Sequence, residues 1–121
     1  MITAEQIREI LSLYKKHGWS LRRVLLSDAL RVNINEHIQD MFGGAEIVSS
    51  SFLNAAWFSR ASQKTRETWE LRHLSETPFA LLEVFSAETD ELKREEILKE
   101  VETRLLDLTS NSGKEESGAK S

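Results

Sequence analysis

The sequence predicts an α+β fold. It would be a two-layer sandwich of one mostly antiparallel sheet, four to five strands wide, with about three helices in the order α-β-α-β-β-β-β-α. Three observations carry this expectation. From Phe52 to Phe85 the chain runs three times through the apolar–polar alternation of half-buried strands. Apolar stripes at helical spacing precede and follow that stretch. Between the first stripe and the alternating runs lie a short apolar run, a second helical stripe and another short run, which read as strand, helix, strand. A length of 121 residues, 40% of them hydrophobic, suits one core built without staples. The expected organisation is a single domain over 1–109 and a disordered polar tail over 110–121.

Thr3 and Gln6 have the spacing of a capping box, and Ile7, Ile10, Leu11 and Tyr14 follow at intervals of three and four, so a helix is expected from Thr3 to His17. Lys15, Lys16 and His17 oppose the carbonyl end of its dipole, and Gly18 can take the left-handed stop. Trp19 to Leu26 is too short for a helix between that glycine and a cap at Ser27, and reads as a strand. Leu30, Ile34, Ile38, Met41 and Phe42 then predict one helix from Asp28 to Phe42, ended by Gly43-Gly44. Glu46-Ile47-Val48 resumes extended structure; as a parallel neighbour of the first strand it would require a right-handed crossover.

Two hairpins are expected next. A loop at Ala61 to Thr65 with Arg60 opposite Arg66 sets Trp57 against Trp69, Ala55 against Leu71 and Leu53 against His73, all on an apolar face. A turn at Ser75 to Pro78 sets Leu71 against Leu82 and Trp69 against Val84 on the same face. A slip of one residue on any strand would exchange its faces. Thr89 can cap a last helix with the stripe Ile97, Leu98, Val101, Leu105 and Leu108, its charges paired as Glu95–Lys99 and Glu100–Arg104. From Ser110 onward the chain is Ser, Asn, Gly, Lys and Glu with a single Ala, too polar to offset its ordering entropy.

Composition removes several function classes. The chain has no cysteine, hence neither disulfides nor thiolate chemistry. It has no basic leader and no run near the roughly 20 apolar residues of a membrane span, so the expectation is a cytoplasmic protein with no membrane partner. The net charge is −4, and the surplus is confined to residues 88–121; residues 1–87 balance ten acidic against ten basic side chains. Arg22-Arg23 is the only adjacent arginine pair, a poor footprint for nucleic acid. Gly43-Gly44 lacks the rest of a phosphate loop, and Ser49-Ser50-Ser51 lacks a glycine elbow or an adjacent base. Histidines 17, 37 and 73 are too widely spaced for a local metal motif, and no metal or other cofactor is expected.

The second sheet face is where function is expected. In the inferred register it carries Phe52, Asn54, Ala56, Phe58, Thr68, Glu70, Arg72, Leu74, Phe79, Leu81, Glu83 and Phe85. Glu70 would lie opposite Glu83 with Arg72 on the diagonal. Such a pair beside an arginine could split its pKa values for acid–base work or hold a divalent cation; a solvated charge cluster is the ordinary outcome, and His73, on the apolar face, reads as a hydrogen-bonded core histidine. Glu70-Leu71-Arg72 has the acidic-x-basic spacing that ends a nuclease motif, but Arg stands for the usual Lys and Asn54 and Ser59 occupy the preceding strand where an acid is needed. The aromatic residues of this face need a cover, either the protein's own helices or another chain. The leading expectation is therefore a non-catalytic interaction module binding a protein partner or a second copy, with Phe52, Phe58, Phe79, Leu81, Phe85 and Arg72 as its surface. The alternative is a small hydrolase or metal-dependent enzyme using Glu70, Glu83 and His73. The sequence leaves any small-molecule ligand unknown.

Overall fold

The computed structural model describes residues 1–118, with side chains described through Thr109. The chain divides into two compact units, Met1–Glu88 and Thr89–Ser121. The first holds a five-stranded sheet and three helices: α1 Ala4–Lys16, β1 Ser20–Leu26, α2 Asp28–Asn33, α3 Ile38–Phe42, β2 Glu46–Ser49, β3 Ala55–Gln63, β4 Arg66–His73 and β5 Ala80–Ser86. The second holds α4, Glu91–Gly118. The α+β class and the mostly antiparallel sheet are as the sequence predicts. Strand order is β2-β1-β3-β4-β5; β1 and β2 are parallel and every other neighbour is antiparallel. Among the described residues no helix is long and apolar enough to cross a membrane.

Helix α1 begins on the expected capping box. Thr3 Oγ1 accepts from Gln6 N at 3.1 Å while Gln6 Oε1 accepts from Thr3 N at 2.9 Å, so two otherwise orphaned donors are satisfied. It ends at His17, and Gly18 turns the chain out at φ +85°. The single helix expected over Asp28–Phe42 is instead broken into α2, a 3₁₀ turn at Asn35–His37, and α3. The break falls in Val32-Asn33-Ile34-Asn35, where two β-branched and two Asn residues give the weakest helical preference of the segment. In α4 the cap is one residue later than expected: Asp90 Oδ1, and not Thr89, accepts from Lys93 N at 2.8 Å. Leu98, Val101 and Leu105 of the expected stripe are buried. The expected tail, 110–121, lies outside the described side chains.

Val24 and Leu26 of β1, Ala56 and Phe58 of β3 and the nearby Leu74 form one core with Ile7 of α1, Leu30 of α2, Ile34 just after α2, and Phe42 of α3. One sheet face is thus layered by helices. The other face, through Ala55, Trp57, Trp69, Leu71 and Phe85, is also buried.

Both hairpin registers differ from expectation, with unequal consequences. In the first, Trp57 pairs Leu71 and Ala55 pairs His73, because β3 runs on through a bulge between Ala61 and Gln63 to a tight turn at Lys64-Thr65. That is a shift of two, so Trp57, Trp69, Leu71 and His73 keep their shared face. In the second, Leu71 pairs Leu81 and Trp69 pairs Glu83, a shift of one. The cause is Leu74: it leaves the ladder, donates its N–H to Asn54 O at 2.8 Å and is buried in the helix-side core. The loop from Leu74 to Pro78 then has five residues, and every β5 side chain exchanges faces.

Candidate interaction surface

That one-residue shift takes the expected site apart. Glu70 lies opposite Leu82, whereas Glu83 lies opposite Trp69 and projects from the other face. The two carboxylates therefore form no pair. His73 shares the face of Glu83 but stands four ladder positions away, about 13 Å along the strand. Among the described residues no group of three or more His, Cys, Asp and Glu side chains is placed to hold a metal ion.

Glu70, Arg72 and Asn54 of the expected site are each engaged elsewhere. The Tyr14 hydroxyl donates to Glu70 Oε2, and the Tyr14 ring stacks on Phe58 at 3.9 Å between centroids, so α1 is held against β3 and β4 by one side chain. Burial, then the hydrogen bond and charge of Glu70, push the Tyr14 hydroxyl far above the ordinary tyrosine range. Arg72 donates to His73 O at 2.7 Å. The His73 imidazole is pushed below its ordinary value of 6.5, first by burial and then by the Arg72 charge. Asn54 is committed as well: its side-chain oxygen accepts from Ser27 N at 2.7 Å.

The aromatic set expected to form one interaction face is dispersed in the same way. Phe58 is 1% exposed within the helix-side core, and Phe85 is 4% exposed on the opposite face, edge-on to Trp69. Phe79, Leu81 and Arg72 are half-buried, and Phe52 is 80% exposed in the connection before β3. The adjacent arginines are consumed internally. Arg22 lies 4.8 Å over the Trp69 ring and donates to Ser59 Oγ at 3.1 Å, while Arg23 pairs Glu46 at 2.8 Å.

The residues that the shift does expose are Leu82 and Val84, 58% and 53% accessible on β5. Sequence reading put them on the buried Trp57 face; the signal that would have relocated them is the apolar Leu74 at the mouth of the hairpin. They belong to the helix-side face, beyond the part that α1 covers, and β5 is the outer strand of the sheet. Leu13 of α1, also exposed, borders a shallow cleft with Arg72, the ladder partner of Ala80.

The hydrogen-bonding side of β5 can be assigned from its ends. His73 N donates to Phe79 O at 2.8 Å and Ala87 N to Thr65 O at 2.7 Å. In an antiparallel ladder hydrogen-bonded and non-bonded pairs alternate, so the odd positions 79–87 turn their main-chain groups to β4. Ala80, Leu82, Val84 and Ser86 turn theirs outward, away from β4. The outcome is a seven-residue edge with a row of open donors and acceptors beside two exposed aliphatic side chains. At the opposite edge β2 has four residues, and Glu46 on it is engaged by Arg23. No protein-family model, curated protein or solved structure matches this chain.

Proposed function

We propose that the protein is a non-catalytic interaction module that pairs its β5 edge with a strand of a protein partner or of a second copy. The observation that carries this reading is the open edge itself: outward main-chain groups at Ala80, Leu82, Val84 and Ser86 beside the exposed Leu82 and Val84. Open edges are ready templates for another strand, and proteins that avoid pairing blunt them with short length, Lys, Pro or inward charge. β5 is seven residues long without Lys or Pro; its one charge, Glu83, lies on the face shared with Trp69, and Pro78 stands just before the strand. Strand addition takes affinity from the main chain and selectivity from alternate side chains, here Leu82 and Val84.

The test is a double variant, Leu82→Lys with Val84→Lys. Both side chains point to solvent, so an unchanged melting curve is expected. Proteins captured by the wild type are purified and titrated against both forms, and self-association is measured in parallel. Binding weakened tenfold or more in the variant supports the reading. Equal binding by both forms, or a wild type that binds neither a partner nor itself, overturns it.

A further inference from the structure

We infer that the helix-side face of β4 and β5 is a docking slot for one helix of a protein partner, amphipathic and with an acidic polar flank. This goes beyond strand pairing at the β5 edge: it concerns side chains on the sheet face and stands whether or not a strand adds at the edge. The slot is a gap in the helical layer. Leu30 of α2 and Phe42 of α3 share a core with Val24 and Leu26 of β1, and α1 lies over β1 and β3, where Tyr14 stacks on Phe58. In the strand order β2-β1-β3-β4-β5 the next two strands keep Leu82 and Val84 at 58% and 53% accessible. The pair β4 and β5 is displaced from the pair β1 and β3 by two strand spacings, about 10 Å, which is the interaxial distance of packed helices. The gap is therefore one helix wide. From Arg72 to Arg66 it is about 20 Å long, or roughly 13 residues of helix.

The ladder supplies the floor of the slot. Arg72 pairs Ala80, Glu70 pairs Leu82, Thr68 pairs Val84 and Arg66 pairs Ser86. Leu82 and Val84, with Leu13 on the α1 wall, form a strip of exposed aliphatic side chains that suits the apolar stripe of a helix. A strand laid on the face would leave its own main chain unbonded, whereas a helix arrives with its main chain satisfied. Charge gives the polar flank. At the Val84 end, Arg60 pairs Thr68 across the ladder, lies 4.6 Å over the Trp19 ring and donates to His17 O at 3.0 Å; these contacts hold the guanidinium in place and supply no negative charge. Lys15 and Lys16 end α1 next to His17, and Lys64 and Arg66 flank the hairpin turn. By alternation Glu67 faces the other side of the sheet, so Glu88, just past β5, is the one acid of Met1–Glu88 at this end of the face. Glu70, in the middle of the floor, is engaged by the Tyr14 hydroxyl, and at the far end Glu9 and Glu76 line the same cleft as Arg72. The slot is thus apolar at its centre, balanced at one end and basic at the other. A helix with carboxylates over Arg60 and Arg66 complements it, and one with Lys or Arg there is repelled.

The test uses two helical peptides of about 13 residues with the same Leu stripe, one carrying Glu and the other Lys on the flank, titrated into isotope-labelled full-length protein. The Glu peptide is expected to shift the amide signals of Leu13, Thr68, Leu82 and Val84 and to bind at least tenfold more tightly than the Lys peptide. Arg66→Glu, at an exposed position, is expected to reverse that preference at an unchanged melting temperature. Binding of neither peptide, equal binding of both, a wild-type preference for Lys, or a preference unaltered by Arg66→Glu overturns the inference. Shifts confined to β5 and indifferent to Arg66→Glu also overturn it, and leave the edge reading standing. Charge-selective binding on the face while the outward amides of Leu82 and Val84 still exchange fast supports the slot and shows that it acts without the edge.

Discussion

Tyr14 fastens α1 to the sheet twice, by stacking on Phe58 and by bonding Glu70. Tyr14→Phe keeps the ring and strands a half-buried carboxylate, so it should cost about 1–2 kcal/mol in urea unfolding. The raised Tyr14 pKa also sets a pH dependence: the folded state keeps the proton that the unfolded chain loses near 10, so stability falls as pH rises beyond that value. The Phe variant should lose that part of the slope. His73 acts at the other end of the scale. Its folded pKa is depressed, so the unfolded chain binds the proton first, and stability is lost as pH falls below about 6.5 and through the folded value. His73→Gln should flatten the melting temperature over that window; an unchanged slope would place the titration elsewhere. Glu70 was visible in the sequence as a residue needing a partner, but Tyr14, 56 positions earlier, was not: a pairing between helix and sheet leaves no local pattern.

Elements were legible where local signals agreed. The capping box, the α1 stripe and the Gly18 stop all describe the same helix, and its bounds came within a residue. A Cβ at Gly18 would meet nothing within 4 Å, so Gly18→Ala should cost only its conformational strain, about 1 kcal/mol by thermal unfolding. The second helix was less legible because an apolar period persists through Val32–Asn35 while intrinsic preference does not. Hairpin register was the least legible, since it depends on whether one residue, Leu74, stays in the ladder. An error of two left the faces of β3 and β4 intact; an error of one reversed β5 and with it the expected site. Two substitutions distinguish these registers. Phe85→Ser should destabilise by about 3 kcal/mol or more, as for truncation of a buried aromatic residue. Phe52→Ser, at an 80% exposed position, should stay within about 0.5 kcal/mol. Similar losses for both would contradict the observed faces.

At the scale of the whole molecule, the sheet-bearing unit has two unlike edges. Parallel pairing leaves β2 short and charged, and the last hairpin leaves β5 long and aliphatic. The fold class and the apolar excess on both sheet faces could be read from alternation alone. Which apolar residues remain exposed could not, because that depends on strand order and on the last register. The most direct measurement is residue-resolved amide exchange along β5 in dilute solution. The account predicts slow exchange at Leu81 and Glu83, bonded to β4, and fast exchange at Leu82 and Val84. Equal protection of odd and even positions in dilute solution would mean that the edge is already covered, and would contradict an open strand as the binding surface.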